Sequence, residues 1–359
     1  MHAKHAVVAA GLAVVLAGTA CGAAAADGDP TPSPSPSGPL ASTLVLTAPA
    51  KLVDERKATL RLTWTTSDGQ PVSGSVTLMR STKPRAAGTQ FKTVTTDADG
   101  TATLTVRPRV DTWWRGLGQQ ATSSEGAVAA TNSKVVKIDN VPPRSPVKLP
   151  KAAPKPEPLP AQLRAVGQGA NAKVTKIPAK VWKTMVGVTW RSGCPVGRAG
   201  LRLMRVNYWG FDGYRHRGSM VAAASAIGKV ASAFTALYNH HYPIRSMRPV
   251  DYFGYSKKDW GGDDDASMAH DNTSAFNCRW VGGVPGRVSN HALGIAIDIN
   301  TWENPYQSPT GPEPDGWWLG HSQRNLTFRS TSDPLVKLLA RHGLHWVLGM
   351  DDTQHFEVR

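Results

Sequence analysis

Beyond Ala20 the sequence has no apolar run long enough to cross a bilayer, and it has little cysteine and little negative charge. A spanning helix needs about 20 consecutive apolar residues, so the mature chain is expected to be anchored to a membrane by lipid at most. Three cysteines occur in 359 residues. With Cys21 set apart by its place behind the leader, Cys194 and Cys278 remain as an even pair. They are a candidate disulfide in an oxidising compartment, with two buried thiols as the alternative. Acidic residues number 26 against 41 basic ones, a net charge of +15. The excess is spread along the chain and is not gathered into a basic stripe with interleaved aromatics. Nucleic acid is therefore not an expected partner. Anionic envelope polymers such as teichoic acids, or anionic lipid head groups, suit the charge better, unless it only solvates the surface. The chain is expected to act as a monomer.

The N-terminus carries an export signal. His2, Lys4 and His5 precede an apolar run from Ala6 to Ala17, too short to span a bilayer and the right length for a signal-peptide core. Gly18-Thr19-Ala20-Cys21 is similar to a lipoprotein processing site, where Cys21 would become the lipidated first residue. Gly18 stands where leucine is usual, so a plain secretory leader cleaved near Ala26 is the alternative. Either way the product is exported, and is either lipid-anchored to the outer face of the cell membrane or secreted to the cell wall.

Composition then divides the chain into a leader at 1–26, a Pro/Ser/Gly-rich stalk at 27–40, a β-rich module at 41–140, a Pro/Lys-rich linker at 141–172 and a last domain at 173–359. The stalk lacks apolar periodicity and is expected to be disordered. In the β-rich module, Leu44–Leu46, Leu60–Trp64, Val76–Leu78, Phe91–Val94, Ala102–Val106, Thr112–Arg115 and Val135–Ile138 read as short strands, with turn signals at Asp68-Gly69 and Asp99-Gly100. About seven short strands in roughly a hundred residues predict an immunoglobulin-like sandwich. It holds no chemical constellation, so a spacer or wall-binding role is expected; Trp113-Trp114 reads as core aromatics more readily than as a glycan platform. Prolines between Pro142 and Pro160 favour extended geometry and predict a semi-rigid spacer crossed by few contacts. In the last domain, apolar residues from Met220 to Leu237 predict a helix over Ser219–Leu237 with one buried face. A second helix is bounded by Ser332-Asp333-Pro334 and by Gly343. Helices on a small sheet make this an α+β domain.

Two segments carry the chemistry. Ser289-Asn290-His291 leads into Gly294-Ile295-Ala296-Ile297-Asp298, and the chain closes on Asp352-Thr353-Gln354-His355-Phe356-Glu357. In a period-two strand Gly294, Ala296 and Asp298 share one face while Ile295, Ile297 and Ile299 face a core. His345–Leu348 reads as a strand, Gly349–Thr353 as a tight loop and His355–Val358 as a closing strand. Glu357 then points the same way as His355 and is a candidate partner for a ligand. Two imidazoles and one carboxylate, His291, His355 and Asp298, give a tetrahedral Zn2+ three ligands and leave the fourth position to a water acidified to a pKa of roughly 7. Asp352 is near enough to serve as a general base without being a ligand.

The pairing of Ser-x-His-x(6)-Asp with a later Asp-x-x-His resembles the zinc D-alanyl-D-alanine peptidases of the VanX and VanY type and the L-alanyl-D-glutamate endopeptidases, which share a fold with the hedgehog signalling domain. The resemblance covers roughly 173–359. It implies His291, Asp298 and His355 as zinc ligands and Asp352 as catalytic base, although many members carry Glu at that position. It also implies an arginine that polarises the scissile carbonyl; Arg279 and Arg248 are the candidates, with Arg279 favoured. Ser289 and Asn277 are candidate hydrogen-bonding groups for the peptide, or turn and strand-end residues. The expected activity is hydrolysis of peptidoglycan stem peptides, by D-Ala-D-Ala carboxypeptidase or L-Ala-D-Glu or cross-link endopeptidase action. The alternative is a zinc-stabilised module that binds the cell wall without cutting it.

Overall fold

The computed structural model describes residues 38–281 and 284–359. The expected signal peptide, Cys21 and nearly all of the expected stalk lie outside them. No helix of the described residues is long and apolar enough to cross a membrane.

The N-terminal module is built mainly from two sheets, with a small hairpin of Ala121–Ser123 and Gly126–Val128 beside them. Ser42–Thr47, Ala58–Thr66 and Thr101–Val106 form an antiparallel three-stranded sheet. The second sheet runs in the order Lys51–Val53, Val136–Val141, Thr112–Gly118, Ser75–Ser81, Thr89–Thr95, with its edge pair Lys51–Val53 and Val136–Val141 parallel. Alternation explains the pairing: Leu60, Leu62 and Trp64 from one sheet and Val76, Leu78, Trp114 and Ile138 from the other close one core. Every one of the seven expected strands is present. Trp114 is buried, while the neighbouring Trp113 turns the other way and lies under Lys137.

In the C-terminal domain Lys173–Lys176, Leu201–Trp209 and Arg215–Ala223 form an antiparallel sheet. Four helices follow the chain order: α1 at Ala179–Met185, α2 at Ile227–Asn239, α3 at Asp264–Ala269 and α4 at Pro334–Arg341. A second small sheet, in the order Ala296–Asp298, His355–Val358, Leu344–His345, meets the first across a core that includes Val206, Phe234, Leu237, Ile297, Phe328 and Phe356.

The helix expected over Ser219–Leu237 begins only at Ile227. Ser219 to Ala223 pair residue for residue with Arg205 to Leu201. Met220 and Ala222 face one core and Val221 another, so the strand is apolar on both sides and shows none of the alternation that marks a half-exposed one. The boundaries of α4 match their signals, with Pro334 in the first turn and Gly343 at φ +83° just past the end. The strand expected at His345–Leu348 is reduced to Leu344–His345.

The Pro/Lys-rich segment is a strap packed on the C-terminal domain, contrary to the open spacer its composition predicts. Val147 N–H donates to Phe211 O (2.8 Å), Glu157 N–H to Ala269 O (2.8 Å) and the Trp302 indole to Pro154 O (3.0 Å). Leu149 and Ala153 pack on Trp302, Trp318 and Leu326. Prolines have no N–H to satisfy, so a chain rich in them can lie on a surface that offers only a few scattered partners. Residues before Lys173 also belong to this packing, since Ala165 N–H donates to Arg215 O and Asn207 N–H to Ala170 O. Arg215 links the far end of the strap to the N-terminal module: its guanidinium donates to Gly167 O at 3.1 Å, to Gly169 O at 2.8 Å and to Glu55 at 2.6 Å.

Candidate metal centre and its cavity

The small sheet sets the register of the site. Asp298 is paired directly with His355, and Asn277 N–H donates to His291 O, which holds the turn before the strand in place. Gly294 makes this turn possible: its φ is +68°, and a Cβ there would lie 2.6 Å from Ala223 N. The consequence is that three ligand atoms converge. His291 Nε2 is 3.1 Å from Asp298 Oδ2, His355 Nδ1 is 3.2 Å from Asp298 Oδ1, and the two ring nitrogens are 3.3 Å apart. All three residues are buried.

The far sides of both rings are oriented. His291 Nδ1 is 2.7 Å from Ala275 O, and a carbonyl only accepts, so this nitrogen carries the proton and Nε2 presents its lone pair. His355 Nε2 faces Glu357 Oε1 at 3.5 Å, and Asn290 Nδ2 donates to the same oxygen at 2.7 Å. Carboxylate or carbonyl partners behind a ligating imidazole fix its tautomer in this way. In neutral rings, lone pairs from two imidazoles and a carboxylate then point at one another, which is repulsive unless a cation sits between them. The three residues therefore fit a metal ion.

The charges agree with that arrangement. Burial works to push the Asp298 carboxyl up, but His291 and His355 outweigh it and hold it far below the usual carboxylate range. Burial would lower His291, and Asp298 raises it above the ordinary imidazole value. Asp352 is different. Burial, reinforced by the Asp298 charge and opposed by His355 and Arg279, pushes its carboxyl up to about 7. Its Oδ2 is 4.0 Å from His355 Nδ1, and its buried Oδ1 has no hydrogen-bond partner.

These groups line a cavity of about 640 Å³. Arg279 is in its wall, paired with Asp264 of α3 at 2.8 Å. Ser289 is also there, with its Oγ accepting from His291 N–H at 3.2 Å. Arg248 is elsewhere: its guanidinium lies 4.3 Å from the Tyr252 ring and donates to Pro160 O. Asn277 is fully buried and spends both ends of its amide on the backbone of Gly262, so it braces Gly262 and offers nothing to a peptide. Cys194 and Cys278 are joined in a disulfide, next in sequence to Arg279. Ser274 to Cys278 belongs to no sheet strand: Ser274 bridges Asp298, and the N–H groups of Phe276, Asn277 and Cys278 donate to Val221 O, His291 O and Thr189 O.

Sequence reasoning missed Asp264, the partner of Arg279, and the hairpin Tyr306–Ser308/Gly311–Glu313, which supplies Tyr306, Ser308 and Glu313 to the cavity. The signal for Asp264 was the acidic run Asp263-Asp264-Asp265, in which Asp263 caps α3 by accepting from Ala266 N–H. Nothing in the sequence ties the hairpin to the ligands.

A family model described as D-alanyl-D-alanine carboxypeptidase matches residues 283–358. That stretch contains His291, Asp298, Asp352 and His355, begins after Arg279, and supports a peptidase of the M15 family. None of the curated proteins compared matches the chain. Among solved structures the chain is similar to the CARDB domain of a Pyrococcus furiosus protein in complex with di-metal ions (12% identity, 28% of this chain, 87% of that chain, TM-score 0.21). It is also similar to an engineered protein (16% identity, 28% of this chain, TM-score 0.19), of whose length it covers 20%. Scores this low bear on neither fold nor function.

Proposed function

We propose that the protein is a zinc metallopeptidase that hydrolyses peptidoglycan stem peptides, as a D-Ala-D-Ala carboxypeptidase or as an L-Ala-D-Glu or cross-link endopeptidase. The observation that carries this reading is the buried Asp352 carboxyl, unpaired at Oδ1, beside a ligand set that has three protein donors and opens on a cavity. A zinc that only holds a fold together is closed by four protein ligands. Two imidazoles with one carboxylate also suit zinc better than calcium or magnesium, which favour oxygen donors throughout. Bound there, zinc would supply Lewis acidity to the scissile carbonyl and to the attacking water.

The chain's own residues do the rest. Asp352 takes the proton from the attacking water and passes it to the leaving amine. Burial and the Asp298 charge raise this carboxyl in the metal-free site, and a bound dication would lower it again, so that it would be ionised to take the first proton. Arg279, held by Asp264, presents positive charge where the carbonyl oxygen becomes negative. Ser289 and the Tyr306–Glu313 hairpin bound the space for the peptide. In this reading 41–140 is an immunoglobulin-like spacer, 173–359 has the hedgehog/DD-peptidase fold, and the leader with Cys21 places both outside the membrane. Digestion of purified peptidoglycan followed by mass spectrometry of the fragments tests it: new stem-peptide termini that depend on Asp352 are expected, and intact muropeptides would refute it.

A further inference from the structure

A second pocket lies away from the metal cavity, where the strap crosses the turn between Leu201–Trp209 and Arg215–Ala223. It encloses about 330 Å³ and is lined by the cationic side chains Arg144, Lys148 and Arg324, by His241, and by Trp209, with no carboxylate among its lining residues. The position of the strap is fixed. A Cβ on Gly213 would stand 2.1 Å from Arg144 O, Val147 N–H bonds Phe211 O, and Gln323 Nε2 donates to Lys148 O at 3.1 Å. The nearby Asp212 is engaged by His216 at 2.9 Å. Burial, with Arg144 and His240 beside it, holds His241 below the ordinary imidazole range, as a positive field requires.

We propose that this pocket binds a phosphodiester polymer of polyol units. Three permanent charges drawn from two separate segments suit successive phosphates better than one isolated anion. The Trp209 ring already carries Tyr238, His241 and Arg144 against it. It therefore offers no free platform for a nucleobase, and base stacking is what single-stranded nucleic-acid grooves rely on. The strap thus has a function beyond joining two domains, since it contributes two of the three fixed charges. The inference stands apart from the peptidase reading, because none of these residues lines the metal cavity.

The test is calorimetric titration of the full chain with a glycerol phosphodiester oligomer, at low and at physiological salt. Saturable, salt-weakened binding is expected. The triple variant R144Q/K148Q/R324Q should bind at least about tenfold more weakly, the combined loss of three exposed ion contacts. Hydrolysis of a soluble stem peptide should not change in that variant. A control with the same loss of charge on the N-terminal module, K51Q/K57Q/R61Q, removes exposed residues and should bind as wild type does. No binding by wild type would overturn the proposal, as would equal weakening in the control or unchanged binding by the pocket variant. So would inorganic phosphate, a neutral glucosamine oligomer or a single-stranded oligonucleotide binding as tightly as the phosphodiester.

Discussion

Arg279 and Asp264 form a 2.8 Å ion pair in the wall of the metal cavity, with the side chain of each about one-seventh exposed. Burial would lower the guanidinium, and Asp264 with Asp298 raises it, so the charge is held by acids on both sides. Arg248 has no such setting, being stacked on Tyr252 outside the cavity. Arg279→Lys should therefore lower kcat/KM by about two to three orders of magnitude, the effect of losing one oriented donor to a developing oxyanion. Arg248→Lys should stay within a few-fold. Steady-state kinetics on a synthetic stem peptide, with thermal unfolding of both variants, checks the assignment; equal losses would show that neither arginine meets the carbonyl.

Metal content is the next prediction. The purified protein should hold one zinc per chain, because only His291, Asp298 and His355 form a ligand cluster among the described residues. His291→Ala/His355→Ala should lose it, and chelation of the wild type should lower Tm, since ions that bind only the folded state stabilise that state. Elemental analysis and calorimetry read both. Stoichiometric zinc in the double variant would place the metal elsewhere.

Asp352→Asn separates catalysis from mere binding. The amide keeps the shape but cannot take a proton, so turnover should fall by about two to four orders of magnitude with zinc content and Tm nearly unchanged. If wild type and variant are both inert and bind wall peptides equally, the domain is a binder. If both turn over comparably, another carboxylate such as Asp351 or Glu357 is the base.

The strap should resist protease. Trypsin sites at Lys148 and Lys151 lie in a segment held by Val147 N–H, Lys148 O and Pro154 O, and cleavage needs several residues to detach together. Folded protein should stay uncut there, whereas Trp302→Phe, which removes the indole donor to Pro154, should expose both sites. Mass spectrometry of timed digests shows which lysines are cut; rapid cleavage of the wild type would mean that the strap is open in solution.

Some of this protein was determined locally, and the sequence alone revealed it. The clustering of His291, Asp298, His355 and Asp352 was legible because each pair lies within ten residues, and strand parity decides which side chains share a face: Asp298 and His355 have to be on facing sides once their strands pair. Seven of the strands of the N-terminal module and the ends of α4 were legible for the same reason, through alternation, turn residues and capping. Other features depended on distant partners. Ser219–Ala223 became a strand because it is buried on both faces, which erases its periodicity. Arg279 rather than Arg248 reached the cavity because Asp264, fifteen residues earlier, holds it there. The strap packed down because Trp302 offered an indole to a proline carbonyl 148 residues before it in the chain. Proline composition limits the conformations of a segment but does not determine what it lies against; that is decided by the surface the rest of the fold presents.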